Sequence, residues 1–301
     1  MKVLDFGSLN VDHVYRVSHI ARPGETVAGT AYQRFAGGKG ANQAVALARA
    51  GAPVALAGCL GVDGLWVRDK LAAEGVDVQD LRVAEVPGGH AVIQVDEQGQ
   101  NCIVLFPGAN AAITAEHIRT ALGRTRPGDV LLLQNEINAT ADLLRAGHAA
   151  GLRVVLNPAP MSAAVERYPL ECVDLLIVNE TEGEALAGGG TADPASLLAA
   201  LSRRLPGADL CLTLGAAGAC YQQASGRRWR MAAPRVCALD TTAAGDTFIG
   251  FLLASQGRGA DPETALALAC RAAAISVTRA GAMDSIPTQA QVEAQGAASS
   301  R

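Results

Sequence analysis

The chain has 301 residues, with 25 basic against 29 acidic side chains and a formal net charge of −4. Half of it is hydrophobic and 18% is charged, which allows a sizeable core and excludes disorder as the main state. That balance excludes a general basic field for nucleic acid or an anionic membrane. No uncharged apolar run reaches the length of a spanning helix, and Asp5 comes too early for a secretory apolar segment. A soluble cytoplasmic protein is expected. Seven cysteines without a CxxC spacing read as buried, reduced thiols.

Val3 to Gly7 reads as a buried strand ending in the polar run Ser8-Leu9-Asn10-Val11-Asp12. Residues 13–36 carry short β-like pieces around Pro23-Gly24. The glycine-rich stretch 37–40 opens a helix over Ala41–Ala50, stopped by Gly51. Val54–Ala57 is a strand, and Leu65–Glu74 is a helix ended by Gly75. His90–Asp96 and Asn101–Phe106 form a hairpin around residues 97–100. Strands then follow at Val130–Gln134, Arg153–Asn157, Leu175–Asn179 and Leu210–Leu214. Helices fall near 115–123, 139–150, 181–187, 194–204, 245–255, 262–277 and 288–295, and the tail from Ala294 reads as frayed. Strands alternating with helices predict an α/β fold with a mostly parallel sheet flanked by helices. The early β pieces, about 13–36 and 88–106, break the alternation. They predict either a small second sheet, as a cover over a site, or an extension of the main sheet.

Ligands of open α/β sheets bind beyond the carboxyl ends of the strands. Asn10, Asp12, Glu136, Asn157, Asn179 and Glu182 all fall there. The strongest local signal is the stretch from Asp240 to Phe248, DTTAAGDTF. Small residues at 243–245 let backbone N–H groups approach an anion, and the helix that follows aims its positive end at the same point. Asp246 in the first turn could take a proton from a hydroxyl, or could simply cap the helix. The loop Gly37-Gly38-Lys39-Gly40-Ala41-Asn42 holds one of only three lysines. It is neither a Walker A loop nor GxGxxG, because Gln33 and Gln43 stand where those motifs need glycine. It fits close approach to a small polyhydroxylated ligand, or a tight turn before a helix. Asn10 and Asp12, two apart on an extended segment, share a face and suit vicinal hydroxyls; strand-end turn residues are the alternative. Thr213 to Gly218 could hold a nucleotide or turn a hairpin. Glu182, near a helix start, could favour the helix dipole or order metal-bound water.

In chain order, GSLNVDHV, PGETVAG, GGKGANQAVALARAG, NPAP, VNETE, TLGAAGA and DTTAAGDTF resemble the motifs of the PfkB (ribokinase-like) sugar kinases. The resemblance runs from about residue 3 to Pro287. It implies a single kinase domain over 1–301, with a central mostly parallel sheet flanked by helices. It also implies a small β lid that joins two copies as a homodimer. The implied chemistry is transfer of the ATP γ-phosphoryl group to a sugar primary hydroxyl, O5 of ribose in the branch that fits best. Other acceptors in the class are 2-deoxyribose, fructose or a nucleoside. A non-catalytic sugar-binding protein is the competing class, and intact Asp246, Gly245 and Asn179 speak against it.

Carried over by position, Asp246 is the implied general base, and Ala243, Ala244, Gly245 and Asp246 form the anion hole. Asn10, Asp12, Gly38, Lys39, Gly40, Asn42 and Glu136 are the implied sugar contacts. Asn179, Thr213, Gly215, Gly218 and Cys270 join Ala244 and Gly245 as nucleotide contacts. Glu182 is the implied acid that organises Mg²⁺ through water. Asp240, Thr242, Ser276, Arg279, Gly281 and Ser285 match a site for a potassium-type cation. Three departures stand out. Ala243 replaces the common glycine of the anion hole. Cys270 stands where histidine can meet adenine. His90 enters a lid strand and could face the sugar.

Overall fold

The computed structural model describes residues 1–190 and 193–299. Strands in chain order are β1 (Val3–Phe6), β2 (Asn10–Arg16), β3 (Ala31–Gly37), β4 (Val54–Leu60), β5 (Asp77–Val83), β6 (Gly89–Val95) and β7 (Asn101–Phe106). They continue with β8 (Val130–Leu133), β9 (Arg153–Leu156), β10 (Leu175–Asn179), β11 (Asp209–Thr213), β12 (Ala219–Gln222) and β13 (Arg228–Met231). The helices are α1 (Lys39–Arg49), α2 (Leu65–Ala73), α3 (Ala115–Leu122), α4 (Thr140–Ala149) and α5 (Glu180–Ala187). After these come α6 (Pro194–Arg204), α7 (Ala244–Gly257), α8 (Pro262–Ser276) and α9 (Gln289–Ser299).

Nine strands form one sheet in the order β13-β12-β11-β10-β9-β8-β1-β4-β5, parallel from β11 to β5 with two antiparallel strands at the β13 end. Every residue of β1, β4 and β8 is buried, as expected of strands covered on both faces. Alternation splits the core in two. Val3, Leu56 and Leu132 pack towards α1, α7 and α8. Leu4, Leu131 and Leu133 pack on the other face, with Leu143 and Leu144 of α4 and Leu197 of α6. Helices α6 and α8 begin at Asp193-Pro194 and Asp261-Pro262, where the aspartate accepts two backbone N–H groups and proline needs none.

The mostly parallel sheet flanked by helices is the predicted one, with three additions. β5, β12 and β13 lie at the two ends of the sheet and were not read from the sequence. The tail from Ala294, expected to fray, is helical through Ser299; residues 300–301 lie outside the described part. Cys102 and Cys237 are exposed rather than buried.

The early β pieces form a separate four-stranded sheet in the order β3-β2-β6-β7. β2 pairs antiparallel with β3 and parallel with β6, and β6 pairs antiparallel with β7. Its outer strand β7 is exposed along its whole length, apolar residues included. Since β1 runs straight towards β2, the small sheet stands at the carboxyl ends of the parallel strands.

Candidate active site

The parallel strands deliver their carboxyl ends to one edge of the large sheet, where α1 and α7 also begin. The start of α1 is pressed against the chain leaving β1. Gly38 adopts φ 95°, and a Cβ there would lie 2.8 Å from the Ser8 carbonyl oxygen. A Cβ on Gly40 would lie 2.6 Å from the Ser8 nitrogen. The glycines of the loop thus serve a close backbone crossing, and Lys39 and Asn42 are carried to the strand ends by it.

Asp246, in the first turn of α7, is 7% exposed. Its Oδ2 accepts from Asn42 Nδ2 at 3.1 Å, and its Oδ1 accepts from Gln43 Nε2 at 2.8 Å. Asn42 Oδ1 is buried and has no partner within the protein. The helix start beside Asp246 is open, with no atom within 4 Å of where a Gly245 side chain would project. Ala243 takes the left-handed conformation at φ 57°. The chain therefore turns sharply into α7, with the Ala244 N–H bonding the Thr241 carbonyl at 3.3 Å, and helix geometry leaves the next N–H groups of the first turn without intrahelical partners. Ala243, Ala244, Gly245 and Asp246 line a polar cavity of ≈ 240 Å³ together with Lys39, Asn179, Glu182 and Thr213.

Lys39 sits among three acids. Burial alone would lower its ammonium, but Asp246, Glu136 and Glu182 outweigh that and hold it above its ordinary 10.5. Glu182 is raised by burial, against hydrogen bonds from Asn179 and the Lys39 charge. Asn179 and Glu182 cap α5 reciprocally, each side chain accepting from the other's backbone N–H.

Asn10 and Asp12, on β2 of the small sheet, gather with Glu136. Glu136 accepts from the Ser8 hydroxyl and from the Lys39 backbone N–H. Burial first, and then the Glu136 charge, push the Asp12 carboxyl up to about 6. Asn10 Oδ1 accepts from Asn110 Nδ2 at 2.8 Å, and Asn110 also brackets the Leu9 backbone. Asn10 therefore presents N–H rather than C=O to a ligand. Asn110, which sequence reasoning missed, is the residue that sets this. Asn10 and Glu136 also line a cavity of ≈ 360 Å³ with Leu105, Pro107 and Ile137. His90 does not share this face: it pairs with Val11 on β2, while Asp12 pairs with Ala91. Its ring lies against His13 and Phe106.

A third cavity of ≈ 550 Å³, mostly apolar, joins the polar one through Thr213, Thr241, Ala244 and Gly245. Gly215, Gly218, Phe248, Cys270 and Val277 line it. Cys270 is buried there, and burial pushes its thiol to about 11. Thr213 to Gly218 was expected to hold a nucleotide or to turn a hairpin. It lines the cavity, and Gly218 at φ 100° turns the chain into the β11–β12 hairpin.

Asp240 lies next to α7 and accepts from Thr242 N, Thr242 Oγ1 and Gly281 N. These bonds, with the Arg16 charge, outweigh its burial and hold the carboxyl below its ordinary value. The backbone N–H groups of Leu239 and Asp240 bond the Val277 carbonyl, so segments 240–242 and 276–285 are adjacent. Ser276 and Ser285 are fully buried, and the Arg279 guanidinium turns away to Gln291.

A buried carboxylate at an open helix start, between a polar cluster and an apolar cavity, is placed to take a proton from a hydroxyl beside a bound anion. The chain matches the model of pfkB family carbohydrate kinases over residues 1–289. A ribokinase of Haemophilus influenzae is 40% identical over 290 residues, covering 94% of each chain. The crystal structure of ribokinase from Cryptococcus neoformans in complex with ADP aligns with a TM-score of 0.85 at 34% identity, over 98% of this chain and 99% of that one. Arabidopsis thaliana ribokinase complexed with ribose and ATP aligns with a TM-score of 0.87 at 29% identity, over 97% of each chain. This protein belongs to the pfkB family of carbohydrate kinases.

Proposed function

We propose that the protein transfers the γ-phosphoryl group of ATP to the 5-hydroxyl of D-ribose, giving ribose 5-phosphate and ADP, with Asp246 as the general base. The observation that carries this is Asp246 itself, buried at the open start of α7 and gripped by Asn42 and Gln43. Phosphoryl transfer needs alignment and charge stabilisation more than covalent help.

The sugar lies among Asn10, Asp12, Gly38, Lys39, Gly40, Asn42 and Glu136. Asn10 and Lys39 donate to its hydroxyls; Asp12, Glu136 and the unpartnered Asn42 Oδ1 accept. A mixed set of donors and acceptors on a compact face suits a free sugar. ATP lies across the two joined cavities, its base in the apolar one by Cys270 and its phosphates towards Asn179 and the α7 start. O5 gives its proton to Asp246 as it attacks the γ-phosphorus. The N–H groups of residues 243–246 and the Lys39 ammonium meet the charge on the transferred oxygens.

Two ions fit the residues present. Glu182 is an oxygen donor on the wall of the phosphate cavity, where Mg²⁺ would be held through water. Bound there, Mg²⁺ neutralises phosphate charge. Asp240, with Thr242, Ser276, Arg279, Gly281 and Ser285, offers one carboxylate and several carbonyls to a monovalent cation such as K⁺, beside the anion hole and away from the sugar. The small sheet acts as a lid on the single kinase domain, and its exposed apolar strand β7 pairs two copies as a homodimer. No helix among the described residues is long and apolar enough to cross a membrane, in keeping with work in the cytoplasm.

The cavity of ≈ 360 Å³ beside Asn10, with Leu105, Pro107 and Ile137 on its wall, keeps a nucleoside as the second acceptor. A coupled ADP-release assay over pentoses, hexoses and nucleosides decides between them; ribose should give the highest kcat/KM. Asp246→Asn should lower turnover about 10²–10⁴-fold while ATP and ribose still bind. Near-normal turnover in that folded variant removes Asp246 as the base.

A further inference from the structure

The central strand of the large sheet carries an acid that no step above uses. Asp5 on β1 is wholly buried, and its register neighbours on either side are Leu56 and Leu132. A leucine would pack there without the cost of desolvating a carboxyl group. Asp5 Oδ1 accepts from Gln134 Nε2 at 2.9 Å, and Oδ2 has no partner. The same Gln134 nitrogen donates to Gln43 Oε1 at 2.8 Å. Gln43 Nε2 in turn donates to Asp246 Oδ1 at 2.8 Å and to Asn157 Oδ1 at 3.2 Å.

Each amide nitrogen here has two N–H groups and meets two acceptors, while Gln134 Oε1 is buried without a partner; the acceptors on the nitrogen side fix the orientation of both amides. Asp5 supplies the acceptor that keeps the Gln134 nitrogen inward. That nitrogen occupies the Gln43 oxygen and leaves the Gln43 nitrogen for the base. Burial pushes the Asp5 carboxyl well above its ordinary 3.8, against the Gln134 hydrogen bond and with the Asp246 charge adding to the rise. A carboxyl held towards its neutral form here accepts a hydrogen bond while setting less negative charge near the base.

We propose that Gln43 is the positioning residue of Asp246, and that Asp5, acting through Gln134, sets which way the Gln43 amide faces. The inference rests on Asp246 being the base. Asp5, Gln43 and Gln134 line none of the three cavities described above, so they act through other groups and not on substrate.

The test is the pH profile of kcat, with KM for ribose alongside, for Gln43→Leu, Asp5→Leu and Asp5→Asn. Gln43→Leu should lower kcat about tenfold or more, the usual effect of losing a hydrogen bond to a charged group. Its acid limb should move to higher pH, because a carboxylate that loses a donor holds its proton more firmly. KM for ribose should stay within about threefold, because the lost contact is not to the sugar. Asp5→Leu should shift kcat and the profile the same way, less strongly, while Tm holds or rises. Asp5→Asn keeps an Oδ1 acceptor and should restore both. Lys39 on α1 and Glu182 on α5 also face Asp246 and are untouched in all three, so a shared shift belongs to the strut.

Wild-type kcat and profile in Asp5→Leu, or an Asp5→Asn enzyme as impaired as Asp5→Leu, would overturn the proposal. Should Asp5→Leu fail to fold, Gln134→Met carries the same expectation, and a wild-type profile there overturns it equally. An active Asp246→Asn enzyme removes the base itself. An inactive one, together with an unmoved profile in Gln43→Leu, removes only the strut.

Discussion

Asp12 should make sugar binding depend on pH near neutrality. Its carboxyl rises from the ordinary 3.8 to about 6, through burial and then through Glu136. That rise corresponds to about 3 kcal/mol of penalty on the ionised form. The sign is fixed by linkage: the folded protein holds the Asp12 proton at pH values where the unfolded chain has released it. Asp12 therefore favours folding in acid, and its contribution is lost as pH rises from about 4 to about 6. Binding runs the other way, because sugar hydroxyls donate best to the ionised carboxylate. At pH 5 only about one molecule in ten carries that carboxylate, so ribose affinity should be about tenfold weaker than at pH 7.5. Calorimetric titration of ribose without nucleotide, from pH 5 to 8, reads this directly. Asp12→Asn should bind weakly and with a flat profile, which separates Asp12 from His13 and His90 in the same sheet. Equal ribose affinity at pH 5 and 7.5 in the wild type, or the same slope in Asp12→Asn, would refute the reasoning.

Three further outcomes follow from the geometry. Activity in a buffer free of sodium and potassium, with a bulky organic cation setting ionic strength, should be low and rise saturably with potassium chloride. Asp240→Asn should blunt that rise, and equal activity with and without potassium would leave Asp240 as a loop anchor alone. Gly38→Ala should cost most of the activity and destabilise the fold, because φ 95° and the Ser8 carbonyl 2.8 Å from the new Cβ leave no room; an unchanged Tm would show that the crossing can open. In the small sheet, Ile103 and Val104 are 55% and 64% exposed, so in the proposed homodimer Ile103→Glu with Val104→Glu should lower the sedimentation coefficient to that of a monomer, and a wild type that already sediments as a monomer would refute the pairing.

The chain alone gave the α/β sheet, the small second sheet and most polar residues at the strand ends, because each is a local pattern. Buried strands read as continuous apolar runs, and the glycine loops mark where backbones cross. What it hid has a common cause. Gln43 was notable only as the residue that spoils GxGxxG, since its meaning depends on Asp246, 203 residues away. Asp5 read as an early charge and Gln134 as the end of a strand. Asn110 sits in a bland GAN turn, yet its amide decides that Asn10 is a donor. Neither edge strand reads as an apolar run: β5 is buried only at Asp80 and Leu81, and the four residues of β13 alternate exposed and half-buried with none fully buried. Site residues announce themselves by composition; the residues that orient them are ordinary amides whose partners only the fold supplies.

Ala243 tests whether the anion hole depends on one backbone turn. Among the described residues it is the non-glycine residue with positive φ, at 57°, and it stands just before α7. An L-residue in this region costs about 1–2 kcal/mol relative to the ordinary helical well. Glycine would relieve that strain, but it gives the unfolded chain more freedom, worth about 0.4–1 kcal/mol the other way. The two effects nearly cancel, so Ala243→Gly should fold with a similar Tm and keep turnover within a few fold. Valine differs: a β-branched side chain is a genuine outlier at positive φ. Ala243→Val should force the turn into another conformation and swing the first N–H groups of α7 away from the phosphate cavity. The rest of α7, from Thr247 to Ser255, is buried against the core and should hold the helix in place. Turnover should then fall about 10²-fold or more, the scale of losing an oxyanion-type donor, with ribose affinity unchanged and only a modest drop in Tm. Steady-state kinetics, ribose calorimetry and a thermal melt on the two variants separate the cases. An Ala243→Val enzyme that turns over normally would show that residues 243–246 need no left-handed turn to do their work.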